Sequence, residues 1–159
     1  EHVFGIVGTH NCPLFDGLHH TPSIRAVTVR HEQGAAMMAA GYARASGRVA
    51  ACFVVPGPGL TNALTGMGQA YSESAPLLMV GGQNALAQLD REGGYFHELQ
   101  DSLAVARAVS GYTARVAAVA DLPKTIREAF RMMRTRRPRP AYIEVPLDVQ
   151  TAQADTAPL

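Results

Sequence analysis

The sequence has only two cysteines and no excess of charge of one sign, and each shortage excludes a class of protein. Cys12 and Cys52 form no CxxC pair, so neither a disulfide scaffold nor a zinc site is expected, and the predicted location is the reducing cytoplasm. A formal net charge of +1 favours neither nucleic acid nor a membrane surface as a partner. No apolar run is long enough to span a membrane, and no signal-peptide pattern is visible.

What the chain does have is the size and composition of one globular domain. Its 159 residues are 47% hydrophobic, which is sufficient for a proper core. Residues 151–159, "TAQADTAPL", are small and polar with one proline and predict the start of an interdomain linker. Because the chain also begins at Glu1 within an apolar run, we expect it to be a piece of a longer polypeptide, with its domain at residues 1–150.

Short apolar runs alternate with longer helical patterns along the chain. The predicted strands are residues 3–7, 26–29, 49–55, 77–81, 112–116 and 141–145. The predicted helices are residues 13–20, 32–46, 60–74, 99–109 and 121–134. Several strands, such as "ACFVV" and "LLMV", are apolar on both faces, which is typical of a parallel sheet covered by helices on both sides. The pattern therefore predicts an α/β fold, a three-layer α/β/α domain with a mainly parallel sheet of about six strands.

Ligands of such sheets bind at the carboxyl ends of the strands, so the segments that follow the strands are the candidate sites. These segments are "VGTHNCP", "RHEQGA", "PGPGLTNALTG" and "GGQNALAQ". The third is a Gly/Pro-rich turn that opens a helix. It is consistent with a ligand touching the backbone at a helix N-terminus, and equally with a rigid connection alone. It contains neither GK[ST] nor a full GxGxxG, so a phosphate or dinucleotide loop is poorly supported.

Glu32 begins a helix that is built mainly of alanine, glycine and methionine, "EQGAAMMAAGYARASG". An acidic residue at a helix N-terminus is common, because it interacts favourably with the helix dipole. The small residues that follow allow another backbone to approach closely, which favours a packed position for this carboxylate. A buried carboxylate needs a partner, and a ring nitrogen of a ligand would serve. The histidines show no metal-binding spacing, so no metal site is predicted within the chain.

Taken together, five segments resemble one known domain: "VFGIVGTHN", "VRHEQGAAMMAAGYARASG", "GPGLTNALTGMGQAYSESAPLLMVGG", "FHELQD" and "RPAYIEVPLDV". They are similar to the N-terminal pyrimidine-binding domain of thiamine-diphosphate-dependent 2-oxoacid decarboxylases and carboligases of the acetolactate synthase and pyruvate oxidase type. They cover nearly the whole chain in the order and spacing of that family. The resemblance implies thiamine diphosphate as cofactor and a small 2-oxo acid as substrate.

The resemblance also assigns roles to individual residues. Glu32 matches the catalytic glutamate that hydrogen-bonds N1′ of the aminopyrimidine. Phe96 and His97 match a segment near the substrate. The expected cofactor contacts besides Glu32 are Pro58 and Asn62 in the glycine-rich turn and Val7 and Gly8 in the loop after the first strand. Thr9, which follows Gly8, is assigned to the substrate. The family usually has glutamine where this chain has His97, and proline where it has Val7.

The family also needs a diphosphate-binding domain with a GDG…NN segment that holds Mg²⁺, and this chain contains neither GDG nor NN. The resemblance therefore implies a second subunit that supplies that domain, in a homodimer or tetramer. It leaves FAD in the full-length protein open, because FAD sits mostly on other domains. The isolated chain is expected to be inactive.

The leading hypothesis is thus the pyrimidine-binding half of an enzyme that decarboxylates a 2-oxo acid and protonates or ligates the resulting enamine. The alternative is a non-catalytic cofactor-binding or oligomerisation module of the same fold, which would have little reason to retain Glu32. A nucleotide-binding domain is a third possibility, although the "GPGLTN" turn lacks the matching glycine pattern.

Overall fold

The alternating apolar runs form a six-stranded sheet with the order β2-β1-β3-β4-β6-β5, in which every pair is parallel. The computed structural model describes residues 2–153, and all statements on structure refer to that range. The strands are β1 His2–Gly5, β2 Arg25–Thr28, β3 Ala50–Val54, β4 Leu77–Gln83, β5 Tyr112–Arg115 and β6 Ala141–Pro146. The predicted parallel α/β sheet is confirmed.

Helices connect these strands. They are α1 Cys12–His19, α2 Glu32–Ser46, α3 Pro58–Glu73, α4 Ser102–Arg107, α5 Leu122–Thr135 and α6 Leu147–Thr151, with short 3-10 turns at Leu86–Gln88 and Val119–Asp121. Helix α6 was not predicted. It follows β6 directly and its Val149 is buried. Of the predicted linker, residues 154–159 lie outside the described residues.

The neighbouring strands β4 and β6 contribute side chains to both hydrophobic cores. Leu77 and Met79 of β4 pack in one core with helices α2, α3 and α4. Leu78 of β4 and Ile143 of β6 pack in the other core with α5 and α6. Because successive side chains of a strand point to opposite faces, this division places helices on both faces of the sheet. The fold therefore has the three layers that the sequence predicts.

Several predicted boundaries differ from the structure by one to three residues, and side chains of the loops explain two of the larger differences. β1 ends at Gly5 rather than at residue 7, since Asn11 binds the loop by accepting from Gly8 N (2.8 Å) and donating to Ile6 O (3.1 Å). α4 begins at Ser102 rather than at residue 99, since Asp101 accepts a hydrogen bond from Ala104 N (2.8 Å) as its N-cap. Residues 89–101 form an irregular segment between β4 and α4 that reaches the candidate site.

Helices α2 and α3 pack closely because small residues line their contact. Ala35, Ala36 and Ala39 are fully buried, and a Cβ at Gly66 of α3 would collide with Cβ of Ala36 and lie 2.9 Å from the backbone N of Met37. Close helix packing at this point brings the N-terminal turn of α2, with Glu32, beside the N-terminal turn of α3. The small-residue character of α2 thus has a structural role in positioning the site.

Replacing Gly66 by alanine is expected to lower the free energy of unfolding by about 2 kcal/mol, because overpacking forces the two helices apart. Gly68→Ala in the same helix is the matched control, since a Cβ there would lie 3.7 Å from Val109 Cγ1, an ordinary contact. Removal of a helical glycine at that position should stabilise by roughly 0.5–1 kcal/mol. Urea unfolding of both variants measures the difference, and equal stabilities would contradict the tight α2–α3 contact.

Candidate functional site

The candidate site lies where the segments after β1, β3 and β4 meet the N-terminus of α2. Neighbouring parallel strands end at the same edge of the sheet, so the loops after β1 and β3 are adjacent. The N-cap of α2 is His31, whose Nδ1 accepts a hydrogen bond from Gln33 N (3.2 Å). Glu32 is the first residue of the helix and is partly buried.

The structure brings together Glu32 and Asn62, two residues that the sequence analysis placed in the site. Asn62 Nδ2 of α3 donates a hydrogen bond to Glu32 Oε2 (3.0 Å). Glu32 Oε1 makes no hydrogen bond to any residue in the described range. One carboxylate oxygen is therefore fixed by the protein, whereas the other remains available to a ligand.

The glycine-rich turn between β3 and α3 is packed too closely for side chains. Gly57 has φ +59°, and a Cβ there would lie 2.6 Å from the carbonyl oxygen of His97. A Cβ on Gly59 would lie 2.7 Å from Val55 Cγ2 and 3.7 Å from Glu32 Oε1. The turn thus lies between Glu32 and the segment that contains His97. Pro58, by contrast, is exposed in the first turn of α3.

The loop after β1 reaches the same place through Gly8. A Cβ on Gly8 would lie 2.6 Å from Val55 Cγ1, and Gly59 also approaches Val55, so both loops pack on this side chain. Val7 is 51% exposed, and Thr9 is exposed as well. The loop therefore presents an apolar and a hydroxyl side chain to solvent at the edge of the site.

Phe96 and His97 form a stacked pair beside the turn. Their ring centroids are 3.8 Å apart, and Phe96 is 64% exposed. The backbone of His97 has φ +62°, a left-handed conformation. This conformation is uncommon for residues other than glycine and occurs often at functional sites. Burial, together with the neighbouring His10, lowers the pKa of His97, and Glu32 opposes this shift. His97 is thus neutral at pH 7 and close enough to Glu32 to feel its charge.

Two residues of the site were missed by sequence reasoning. His10 is 4% exposed, and its ring centroid lies 5.6 Å from His97 and 5.8 Å from Phe96. Its Nε2 is 2.9 Å from Oδ1 of Asn84, a buried residue that follows β4. The signal was present, because both belong to segments that follow strands, "VGTHNCP" and "GGQNALAQ". The histidines were weighed only as metal ligands, and no pattern paired His10 with an asparagine 74 positions later.

Comparison with known proteins identifies the family of this arrangement. Residues 1–119 match the family described as thiamine pyrophosphate enzyme, N-terminal TPP binding domain. The chain belongs to the thiamine pyrophosphate enzyme family. The predicted resemblance to the pyrimidine-binding domain of these enzymes is confirmed.

Several curated relatives of this thiamine pyrophosphate enzyme domain are enzymes by name. The probable 2-ketoarginine decarboxylase of Pseudomonas aeruginosa is 45% identical over 150 residues, which are 94% of this chain and 27% of the relative. The acetolactate synthase large subunit of Lactococcus lactis is 38% identical over 153 residues, 96% of this chain and 26% of the relative. The acetolactate synthase of Arthrospira platensis is 36% identical over 162 residues, 100% of this chain and 28% of the relative. The chain thus spans roughly a quarter of the length of these relatives.

The residues of this thiamine pyrophosphate enzyme domain fit the aminopyrimidine part of the cofactor. Glu32 offers an oxygen without a protein partner at a helix N-terminus, and the glycines of the adjacent turn let the backbone of His97 and the side chain of Val55 pack closely beside it. In residues 2–153, no three of the side chains that bind metals gather in one place. Over the same range, no helix is both long and apolar enough to cross a membrane.

Proposed function

We propose that this chain is the pyrimidine-binding half of a thiamine-diphosphate-dependent enzyme that decarboxylates a 2-oxo acid. The observation on which the proposal depends is the Glu32–Asn62 hydrogen bond of 3.0 Å at the N-terminal turns of α2 and α3. An asparagine side chain that donates to Oε2 fixes the plane of the carboxyl group. The other oxygen can then exchange a proton with a ring nitrogen of a bound ligand.

The surrounding residues have separate tasks in this proposal. Gly57 and Gly59 let the turn pack closely against His97 and Val55, and Asn62 orients Glu32. Glu32 holds or releases one proton at Oε1. The wall of the site towards the substrate is formed by the loop after β1 and by the stacked pair, that is, by Val7, Gly8, Thr9, Phe96 and His97. When bound, the cofactor supplies a carbon nucleophile and takes up the electrons left when carbon dioxide departs.

The proposed substrate class is a 2-oxo acid. Its support is the family together with the names of the relatives, which describe a 2-ketoarginine decarboxylase and acetolactate synthases. The neutral His97, where the family usually has glutamine, still offers one hydrogen-bond donor and one acceptor at neutral pH. We place the activity nearer to a decarboxylase than to a carboligase because the decarboxylase shows the higher of these identities.

The test is an assay of the whole protein with thiamine diphosphate and Mg²⁺ against a panel of 2-oxo acids. The panel should include pyruvate and the 2-oxo acid analogue of arginine. We expect release of carbon dioxide together with the corresponding aldehyde. A product in which two substrate carbons are joined would instead assign a carboligase. Failure of every 2-oxo acid to react in protein that is loaded with cofactor would refute the proposal.

We also propose that a second subunit completes the site, in a homodimer or tetramer, by supplying a diphosphate-binding domain and its Mg²⁺. The chain alone should therefore bind thiamine diphosphate only weakly. Isothermal titration of the isolated chain with the cofactor, with and without Mg²⁺, measures this affinity. A tight complex that requires Mg²⁺ would contradict the proposal, because it would show that these residues suffice to hold the diphosphate.

A further inference from the structure

The hydrogen bonds around Asn84 determine which nitrogen of His10 carries a proton. Asn84 Nδ2 donates to the carbonyl oxygen of Phe96 (3.1 Å), and a carbonyl can only accept. The opposite atom of the amide, Oδ1, therefore faces His10 Nε2 at 2.9 Å. Since Oδ1 is also only an acceptor, the proton of the neutral His10 ring must lie on Nε2. Its Nδ1 then has a free lone pair.

A second set of hydrogen bonds holds Asn84 itself. Ser102 Oγ donates to the carboxylate of Glu144, a side chain with no solvent exposure, and accepts from Gln83 Nε2 (3.1 Å). Gln83 Oε1 consequently accepts from the backbone N–H of Asn84 (2.9 Å). The direction of each hydrogen bond in this series is determined, because the carboxylate of Glu144 can only accept. The conformation of Asn84 is thus fixed from both its side chain and its backbone.

The lone pair of His10 Nδ1 has no hydrogen-bond partner in the described part of the chain. Nδ1 is buried, and so is Nδ1 of His97, which also lacks a partner there. Buried nitrogens in folded proteins nearly always have a partner, so this orphaned lone pair, which lies beside the candidate site, is suited to a donor group that arrives with a ligand. The His10 ring packs against the stacked Phe96–His97 pair, with its centroid 5.8 Å from Phe96 and 5.6 Å from His97. His97 in turn is close enough to Glu32 to feel its charge.

We propose that Asn84 is a positioning residue that holds His10 as its Nε2–H tautomer, so that Nδ1 accepts a hydrogen bond from an O–H or N–H group on the side chain of the bound 2-oxo acid, whose ketone and carboxylate oxygens can only accept. This inference rests on the proposed function for the identity of the ligand. It assigns His10 a role in the site in addition to those of Glu32 and His97. It also explains why the amide side chains of Asn84 and Gln83 are buried. The tautomer is a property of the protein before any substrate binds.

The first test measures the tautomer by long-range ¹H–¹⁵N correlation spectra of the whole protein labelled with ¹⁵N-histidine. The His10 signals are assigned by their loss in His10→Gln. We expect a protonated Nε2 and an unprotonated Nδ1 at neutral pH. A proton on Nδ1, either alone or in a doubly protonated ring, would overturn the inference whether or not the protein is an enzyme.

The second test compares the pH dependence of kcat/KM in Asn84→Asp, Asn84→Leu and the wild type. Asn84→Asp keeps the shape and the acceptor for Nε2–H, but its negative charge stabilises the doubly protonated ring. The acidic limb of the profile should therefore move up by at least about one pH unit, with recovery at higher pH. Asn84→Leu removes the orienting bonds and should lower kcat/KM about tenfold at every pH. His97 interacts electrostatically with both His10 and Glu32, and neither His97 nor Glu32 is altered in these variants.

Gln69→Leu is the matched control, because its amide donates to Glu73 Oε1 (2.7 Å) on the exposed side of α3. It should leave the profile unchanged. The inference would be overturned if the spectrum of Asn84→Asp shows His10 doubly protonated while its pH profile is identical to that of the wild type. Absence of turnover of every 2-oxo acid in the wild type would refute the proposed function instead, and the spectrum alone would then decide the tautomer.

Discussion

Replacing Glu32 by glutamine in the whole protein is expected to reduce turnover of a 2-oxo acid by at least about a hundredfold, which is the lower end of the contribution of positioned acid–base groups. Glutamine has the same shape and can still accept the hydrogen bond from Asn62, so the fold should be unaffected. It cannot exchange a proton with a ring nitrogen. The measurement is kcat with saturating thiamine diphosphate, together with the melting temperature of the variant.

Glu73→Gln is the control for this substitution. Glu73 is also a helical glutamate that accepts a hydrogen bond from an amide, from Gln69, and it pairs with Arg44 (2.6 Å) on α2. It lies at the opposite end of α3 from Asn62. Its replacement should therefore leave kcat unchanged. Full activity of Glu32→Gln, in protein shown to contain the cofactor, would exclude a proton-transferring role for Glu32.

Replacing Arg115 by methionine is expected to lower the free energy of unfolding by about 3–5 kcal/mol, the range for removal of one partner of a buried ion pair. Arg115 Nε donates to Glu144 Oε1 (2.6 Å), and Glu144 is completely buried in β6. Methionine fills much of the same volume but leaves the carboxylate without its cationic partner. Ser102 and Tyr142 also contact Glu144, yet neither carries a positive charge.

Arg131→Met tests whether this effect depends on burial. Arg131 pairs with Glu128 (2.6 Å) on the exposed face of α5, where both side chains remain in contact with solvent. Loss of such a pair should change stability by less than about 1 kcal/mol. Urea unfolding of the two variants at neutral pH measures the contrast. Equal losses would show that Glu144 is stabilised without Arg115.

Much of the fold was predictable because each element has its own local signal. Strand β4 is apolar on both faces, and helix α5 has one apolar stripe, so period and composition are sufficient for both. The irregular segment 89–101 had no such signal. Its conformation depends on distant partners, such as Asp90, which binds Arg115 (3.1 Å), and Phe96, whose carbonyl binds Asn84.

For the site, the sequence by itself determined which residues could bind the aminopyrimidine ring of the cofactor and exchange a proton with it. Glu32 begins a helix of small residues, and Asn62 follows a glycine-rich turn. Both patterns can be recognised from neighbouring residues in the sequence. The tertiary structure alone decided that Glu32 and Asn62 bind each other, and that His10, Asn84 and His97 lie together. The Glu32–Asn62 and His10–Asn84 contacts join residues that are 30 and 74 positions apart in sequence. They exist because parallel strands bring successive loops to one edge of the sheet, and no local pattern specifies which loops will touch.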